Sequence, residues 1–285
     1  MTIREALFHA RDLFRQQGIE NPFLDSLVLL SACTGMAKAK ILEAYGKELT
    51  REEEDCFQEA VHRRLSGLPV SYILRKKEFF GLSFYVDERV LVPRPDTETL
   101  VETVLRILEE DTSVRRIHDT CTGSGCIPIS VVTHLPETAA AREVEVSASD
   151  VSEAALEVFR INCLRILGYI LPHTLSDLLS SVKGPFDLIT ANPPYIESSE
   201  VDRMMGCGWP EPRLALDGGE DGMKITDRLI LQAVERLREN GYLLIEGADS
   251  QAEAIQQKMY SHGYSSVEIL HDLAGRKRVV VGRKG

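Results

Sequence analysis

Beyond Pro95 the apolar residues switch repeatedly between helix spacing and short strand-like runs, and few architectures can absorb that alternation. A helix is predicted over about 97–110, then a strand ending at Asp119, a strand over 144–150, a helix over 154–167 and a strand over 186–191. A helix over 224–239, a strand over 242–246, a helix over 251–260 and two closing strands follow. Such a succession builds an α/β domain with a mostly parallel sheet and helices on both faces. Upstream the period is helical: Ile3, Leu7, Ala10, Leu13 and Phe14 share one face, and Thr2 with Glu5 forms a capping-box signature. A second apolar stretch follows Asn21-Pro22, and Thr50 with Glu53 opens another helix that Gly67 stops. Between them and the α/β part, 72–87 predicts two short strands around Gly81. The expected division is therefore a helical bundle over 1–70, a β-hairpin linker over 71–90 and an α/β domain over 91–285.

A chain of 285 residues with 44% apolar content can bury two cores, since domains run to about 100–200 residues. Its net charge of −11 and pI near 5.2 oppose a surface built to neutralise nucleic-acid phosphates, so no direct nucleic-acid binding is expected. The basic trio Arg75, Lys76, Lys77 is expected to be a solvated loop. No apolar run approaches the roughly 18 residues of a membrane span, and the first helix lacks a signal-peptide core. The six cysteines at 33, 56, 121, 126, 163 and 207 contain no C-x-x-C pair, which is not zinc spacing; no metal and a reduced, cytoplasmic protein are expected.

Three segments carry chemistry. HDTCTGSG places Asp119 at a strand end and Thr122-Gly123-Ser124-Gly125 at the turn into a helix, where glycines let backbone approach a ligand. It is not a dinucleotide fingerprint, because Pro128 occupies the third glycine's place, and no Walker lysine follows. Asp150, ending the next strand, can accept hydrogen bonds from a ribose diol or can cap the following helix. ANPPYI at 191–196 leaves a third strand through two adjacent prolines, which remove two backbone donors and hold Asn192 and Pro193 extended. His118, beside Asp119, is expected to pack near the strand end.

Together these segments resemble the class I methyltransferases that use S-adenosylmethionine, and within them the PrmC/HemK family of peptide chain release factor N5-glutamine methyltransferases. LVPRPDTETL at 91–100, DTCTGSG at 119–125, Asp150, ANPPYI, EPRLALDGGEDG at 211–222 and DLAGRKRVVVGR at 272–283 carry the likeness. It implies a Rossmann-like seven-stranded sheet, S-adenosylmethionine as cofactor, class 1 release factors as protein partners, and a substrate-docking role for the helical bundle. The implied cofactor site is Asp119, Cys121, Thr122, Gly123, Ser124, Gly125, Asp150, Leu178 and Asn192. The implied substrate site is Asn192, Pro193, Pro194 and Tyr195, with Arg94 and Glu98. Departures from the family pattern are Cys121 and Arg75, where glycine is usual, and Ile245-Glu246-Gly247 in place of a Glu-Ile-Gly order. In the segment 177–179, around Leu178, the family often has an aromatic against the adenine, so either Leu178 or another residue is expected to pack there.

The resemblance gives NPPY a physical purpose. An amide nitrogen is a poor nucleophile because its lone pair is delocalised into the carbonyl. Methylation needs both N–H groups held while positive charge builds on nitrogen. The Asn192 side-chain oxygen and the Pro193 carbonyl can each accept one N–H, and Tyr195 can lie against the amide plane. No general base is required before transfer. Two other functions use the same residues: methylation of a nucleobase amino group, which NPPY also serves, and a non-catalytic adaptor that keeps the fold.

Overall fold

The computed structural model describes residues 1–285. They form two compact units, Met1–Lys76 with Gly208–Pro210, and Lys77–Cys207 with Glu211–Gly285. The first holds α1 (Ile3–Gln16), α2 (Pro22–Thr34), α3 (Lys38–Glu43), α4 (Arg51–Leu65) and α5 (Val70–Leu74). Both capping boxes form: Thr2 and Glu5 open α1 and Thr50 and Glu53 open α4, each hydroxyl accepting the third helical N–H while the glutamate accepts the cap's N–H. Leu7, Phe14, Leu30, Ile41 and Phe57 are buried in this unit's own core. One expectation fails here. Cys33 on α2 and Cys56 on α4 are disulfide-bonded, with Cα atoms 5.7 Å apart, so the cysteines are not all free thiols. Their 23-residue separation carries no motif, and only the packing of two helices brings them together.

The second unit begins with a hairpin, β1 (Lys77–Phe79) and β2 (Leu82–Phe84), which clusters with the α/β residues. Then come α6 (Glu98–Glu110), β3 (Arg116–Thr120), α7 (Cys126–Thr133), α8 (Glu137–Ala140), β4 (Glu145–Asp150), α9 (Glu153–Ile166), β5 (His173–Leu175) and β6 (Phe186–Ala191). The chain continues through β7 (Ile196–Glu197), α10 (Ser198–Gly206), β8 (Asp217–Gly219), α11 (Lys224–Arg236), β9 (Leu237–Glu246), α12 (Ala252–Ser261), β10 (Tyr264–His271) and β11 (Lys277–Lys284). Helix α11 stops three residues before its expected end, because the backbone turns extended at Leu237.

Seven strands form one sheet in the order β10-β11-β9-β6-β3-β4-β5. Strands β9, β6, β3, β4 and β5 are parallel, while β11 is antiparallel to both its neighbours. Every residue of β6 is buried, as a central strand covered on both faces requires. The register sets Thr120 opposite both Ser149 and Ala191, and Ala191 opposite Ile245. The carboxyl ends of β9, β6, β3 and β4 therefore lie side by side. After β5 the chain returns to the other side of β3, so the gap between β3 and β6 is the topological switch point where such sheets open a crevice.

Candidate active site

At that edge lies a cavity of about 300 Å³, lined by residues of the second unit alone. Of the expected residues, Arg94, Cys121, Thr122, Gly123, Ser124, Asp150, Leu178, Asn192 and Pro194 line it. Gly125 lies behind the loop, at the N-cap of α7 with φ of 81°; a Cβ there would stand 2.5 Å from the Phe159 ring. Only glycine lets α7 and α9 pack this closely. Cys121 and Arg75, the two residues found where the family has glycine, have φ of 58° and 51°, which accounts for the family's preference.

Asp150 does not cap the helix after it. Ser152 does, its hydroxyl accepting from the Ala155 N–H at 3.2 Å. Asp150 instead accepts from the Gly123 N–H at 2.8 Å and the Ser152 N–H at 2.9 Å, tying β4 to the glycine loop. Burial pushes its carboxyl above the usual range. Asp119, completely buried, accepts from the Thr190 hydroxyl at 2.6 Å through Oδ1, while its Oδ2 has no partner within normal hydrogen-bond geometry and only the neighbouring Thr122 hydroxyl acts on it. Burial, reinforced by the charge of Asp150, pushes Asp119 up to about 7. Two carboxylates with an orphaned oxygen between strand and glycine loop fit a cationic ligand carrying a diol. S-adenosylmethionine, with its sulfonium, ammonium and ribose, meets that description.

The NPPY segment is held from several sides. Ile196 N–H donates to the Leu216 carbonyl at 2.9 Å as β7 pairs with β8, and the Gln251 amide donates to the Tyr195 carbonyl at 3.0 Å. A Cβ on Gly218 would stand 2.8 Å from the Pro194 oxygen and from the Tyr195 Cα, so the GG of LALDGG is where backbone packs on the prolines. Pro193 is buried and Tyr195 half-buried, and burial raises the Tyr195 phenol's pKa. Asn192 donates through Nδ2 to the Thr97 hydroxyl at 3.3 Å.

Among the residues not expected from the sequence, Thr97 lines the cavity, and Glu211, Glu246 and Arg278 are buried charged groups that tie its motifs together. Glu211, 3% exposed, accepts from the Val92 N–H at 2.9 Å and the Arg94 guanidinium at 2.5 Å, joining LVPRP to EPRLAL. Arg278 of β11 pairs with Asp96 at 2.9 Å, joining the last motif to PRPDTE. Arg94 is thus paired at the cavity wall. Glu98 is committed elsewhere, accepting from the Phe80 N–H at 2.8 Å at the hairpin, and does not line the cavity. His118 is a packing residue as expected: its ring nitrogens meet the Ser147 and Ser149 hydroxyls at 2.9 Å, it stacks on Phe186, and burial pushes it down to about 4.

Residues 5–74 match the PrmC N-terminal domain and residues 96–207 match the Methyltransferase small domain. A release factor glutamine methyltransferase of Koribacter versatilis is 34% identical over 288 residues, covering 100% of this chain and 99% of that one. One from Moorella thermoacetica is 36% identical, covering 98% and 97%. Among solved structures, the Thermus thermophilus 16S rRNA N2 G1207 methyltransferase in complex with AdoMet and guanosine superposes with a TM-score of 0.50 at 17% identity, over 74% of this chain and 50% of that one. That likeness shows the shared class I methyltransferase fold. The end-to-end match to curated relatives shows more: this chain is an enzyme of the release factor glutamine methyltransferase family.

Proposed function

We propose that this enzyme transfers a methyl group from S-adenosylmethionine to the side-chain amide nitrogen of a glutamine in class 1 peptide chain release factors. The observation that carries this is a cavity lined by Thr122, Asp150 and Asn192, with Asp119 and the proline-stiffened Pro193 buried in the strand ends beside it. Asp119 and Thr122 hold the cofactor's cationic end, Asp150 its ribose, and Leu178, 4% exposed at the wall, packs on the adenine. The cofactor supplies an electrophilic methyl group, and the substrate nitrogen supplies the electron pair and afterwards loses one proton to water.

Asn192 Oδ1 and the Pro193 carbonyl accept the two substrate N–H bonds and meet the charge that grows on nitrogen. Because both dipoles are set before substrate arrives, little ordering is left for the transition state. Tyr195 holds the amide plane, and Arg94, fixed by Glu211, borders the approach. The helical unit contributes no cavity-lining residue, and Phe23, Leu24, Leu42 and Trp209 leave it with exposed apolar surface, consistent with docking a protein rather than performing chemistry. Contacts of that kind, remote from the reacting nitrogen, provide binding energy that positions it.

The test is transfer of labelled methyl to purified release factor, to a short glutamine peptide and to duplex DNA, with the product mapped by mass spectrometry. Expected is N-methylglutamine in the release factor, with kcat/KM well above that for the peptide and no label in DNA. Label in a nucleobase would identify the rival amino-methyltransferase function. Cofactor binding without transfer to any substrate would identify an adaptor.

A further inference from the structure

Glu246 ends β9 at the site's edge, 1% exposed, and one of its oxygens, Oε2, is buried without a hydrogen-bond partner. Its carboxylate faces the Thr97 hydroxyl, the Asn192 amide, the Arg278 guanidinium and the Asp96 carboxylate, and its charge reaches the Tyr195 phenol and the Cys126 thiol. Arg278 is shared, pairing also with Asp96 at 2.9 Å and Asp272 at 3.4 Å. Nothing in the proposed methyl transfer yet uses this buried acid.

Hydrogen-bond direction gives it a use. Thr97 Oγ1 accepts from Asn192 Nδ2 at 3.3 Å, which leaves its own hydrogen free to turn toward Glu246, a carboxylate that the β6–β9 register sets beside Asn192 and whose Oε2 is unpartnered. An ionised carboxylate can only accept, which favours the order Asn192 to Thr97 to Glu246 and equally keeps the Asn192 NH2 turned toward Glu246. The amide is planar, so an NH2 turned inward leaves Oδ1 facing the substrate. A protonated Glu246 can donate instead. Thr97 would then donate to Asn192 Oδ1, and the NH2 turned outward would oppose the substrate's own N–H.

We propose that Glu246, acting through Thr97, sets which end of the Asn192 amide meets the substrate, so that Glu246 and Thr97 are positioning residues for methyl transfer. This rests on Asn192 accepting a substrate N–H, as proposed above. Burial, opposed by the Thr97 hydroxyl, the Arg278 charge and the Asn192 amide and reinforced by Asp96, pushes Glu246 up to about 7. The acceptor orientation is therefore lost as pH falls through that value.

The experiment follows single-turnover methyl transfer to intact release factor at saturating cofactor, from about pH 5 to pH 9, so that cofactor binding does not limit the profile. The unaltered enzyme should lose rate below about 7. Glu246→Gln should slow transfer by about 10- to 100-fold, by analogy with hydrogen-bond partners that orient metal ligands, and should flatten the acid limb with cofactor affinity retained. Thr97→Ser should stay near the parent rate while Thr97→Val behaves like Glu246→Gln, which guards against a misfolded Glu246 variant. An acid limb that survives in Glu246→Gln, or Thr97→Val as active as Thr97→Ser, would overturn the proposal while a collapsed Asn192→Ala left the acceptor role standing. A near-normal Asn192→Ala would overturn both.

Discussion

Asn192→Ala is expected to lower the single-turnover rate of methyl transfer by about 10²–10³, the loss seen when one preorganised hydrogen-bonding group is removed from a site of developing charge. Cofactor affinity should change far less. The two quantities should separate because Asn192 follows β6, whereas the carboxylates proposed to hold the cofactor's cationic end and ribose, Asp119 and Asp150, lie on β3 and β4. The alanine leaves the substrate nitrogen with one acceptor, the Pro193 carbonyl, so its plane can rotate and its lone pair is less often aligned with the methyl group. The prolines keep the loop's course, so the lesion should be local. Stopped-flow or quench-flow transfer at saturating cofactor, beside calorimetric titration of the cofactor, checks both halves. Turnover near the parent rate would remove Asn192 from the chemistry.

The sheet edge was legible in the sequence because its strands are short apolar runs ended by distinctive residues: Asp119 before a glycine turn, Asp150 before Ser152, and Ala191 before two prolines. Each ending has a local physical cause, and local causes show in a linear sequence. The links between segments have none. Glu211 lies 119 residues from Val92 and 117 from Arg94, and nothing around it marks a buried carboxylate. Glu246 reads as the end of a strand, and only the β6–β9 register places it near Asn192. Its one signal was indirect: the EG of LLIEG lies within a segment that departs from the family's order. Cys33 and Cys56 were hidden in the same way, since two helices joined through others can bring together positions that carry no spacing rule. Glu98 differs in another way. Its place in PDTE drew it into the substrate set, but the start of α6 aims it at the Phe80 N–H.

Asp119→Asn should stabilise the cofactor-free protein and at the same time weaken its hold on S-adenosylmethionine. In the folded chain the carboxyl is completely buried and titrates at about 7, against 3.8 for the free side chain. Below the lower value the folded and unfolded chains both carry the proton, and the group costs nothing. Between the two the unfolded chain releases the proton and the folded chain retains it, so the penalty grows with pH and is complete above about 7. Asparagine never ionises and escapes it. At pH 8 the variant should therefore be more stable by on the order of a few kcal/mol, the difference shrinking as the solution is acidified. Affinity should move the other way, falling about 10- to 100-fold if one charge-assisted hydrogen bond of roughly 1.5–3 kcal/mol is lost. The cationic cofactor favours ionised Asp119, so in the parent enzyme binding should weaken as pH falls below about 7, and the variant should lack that dependence. Thermal melts with and without cofactor across this range decide the matter: the parent should gain much from cofactor at pH 8, and the variant should start higher and gain little. A variant no more stable than the parent, or one that binds cofactor as tightly, would show that Asp119 is neither strained by its burial nor relieved by the ligand.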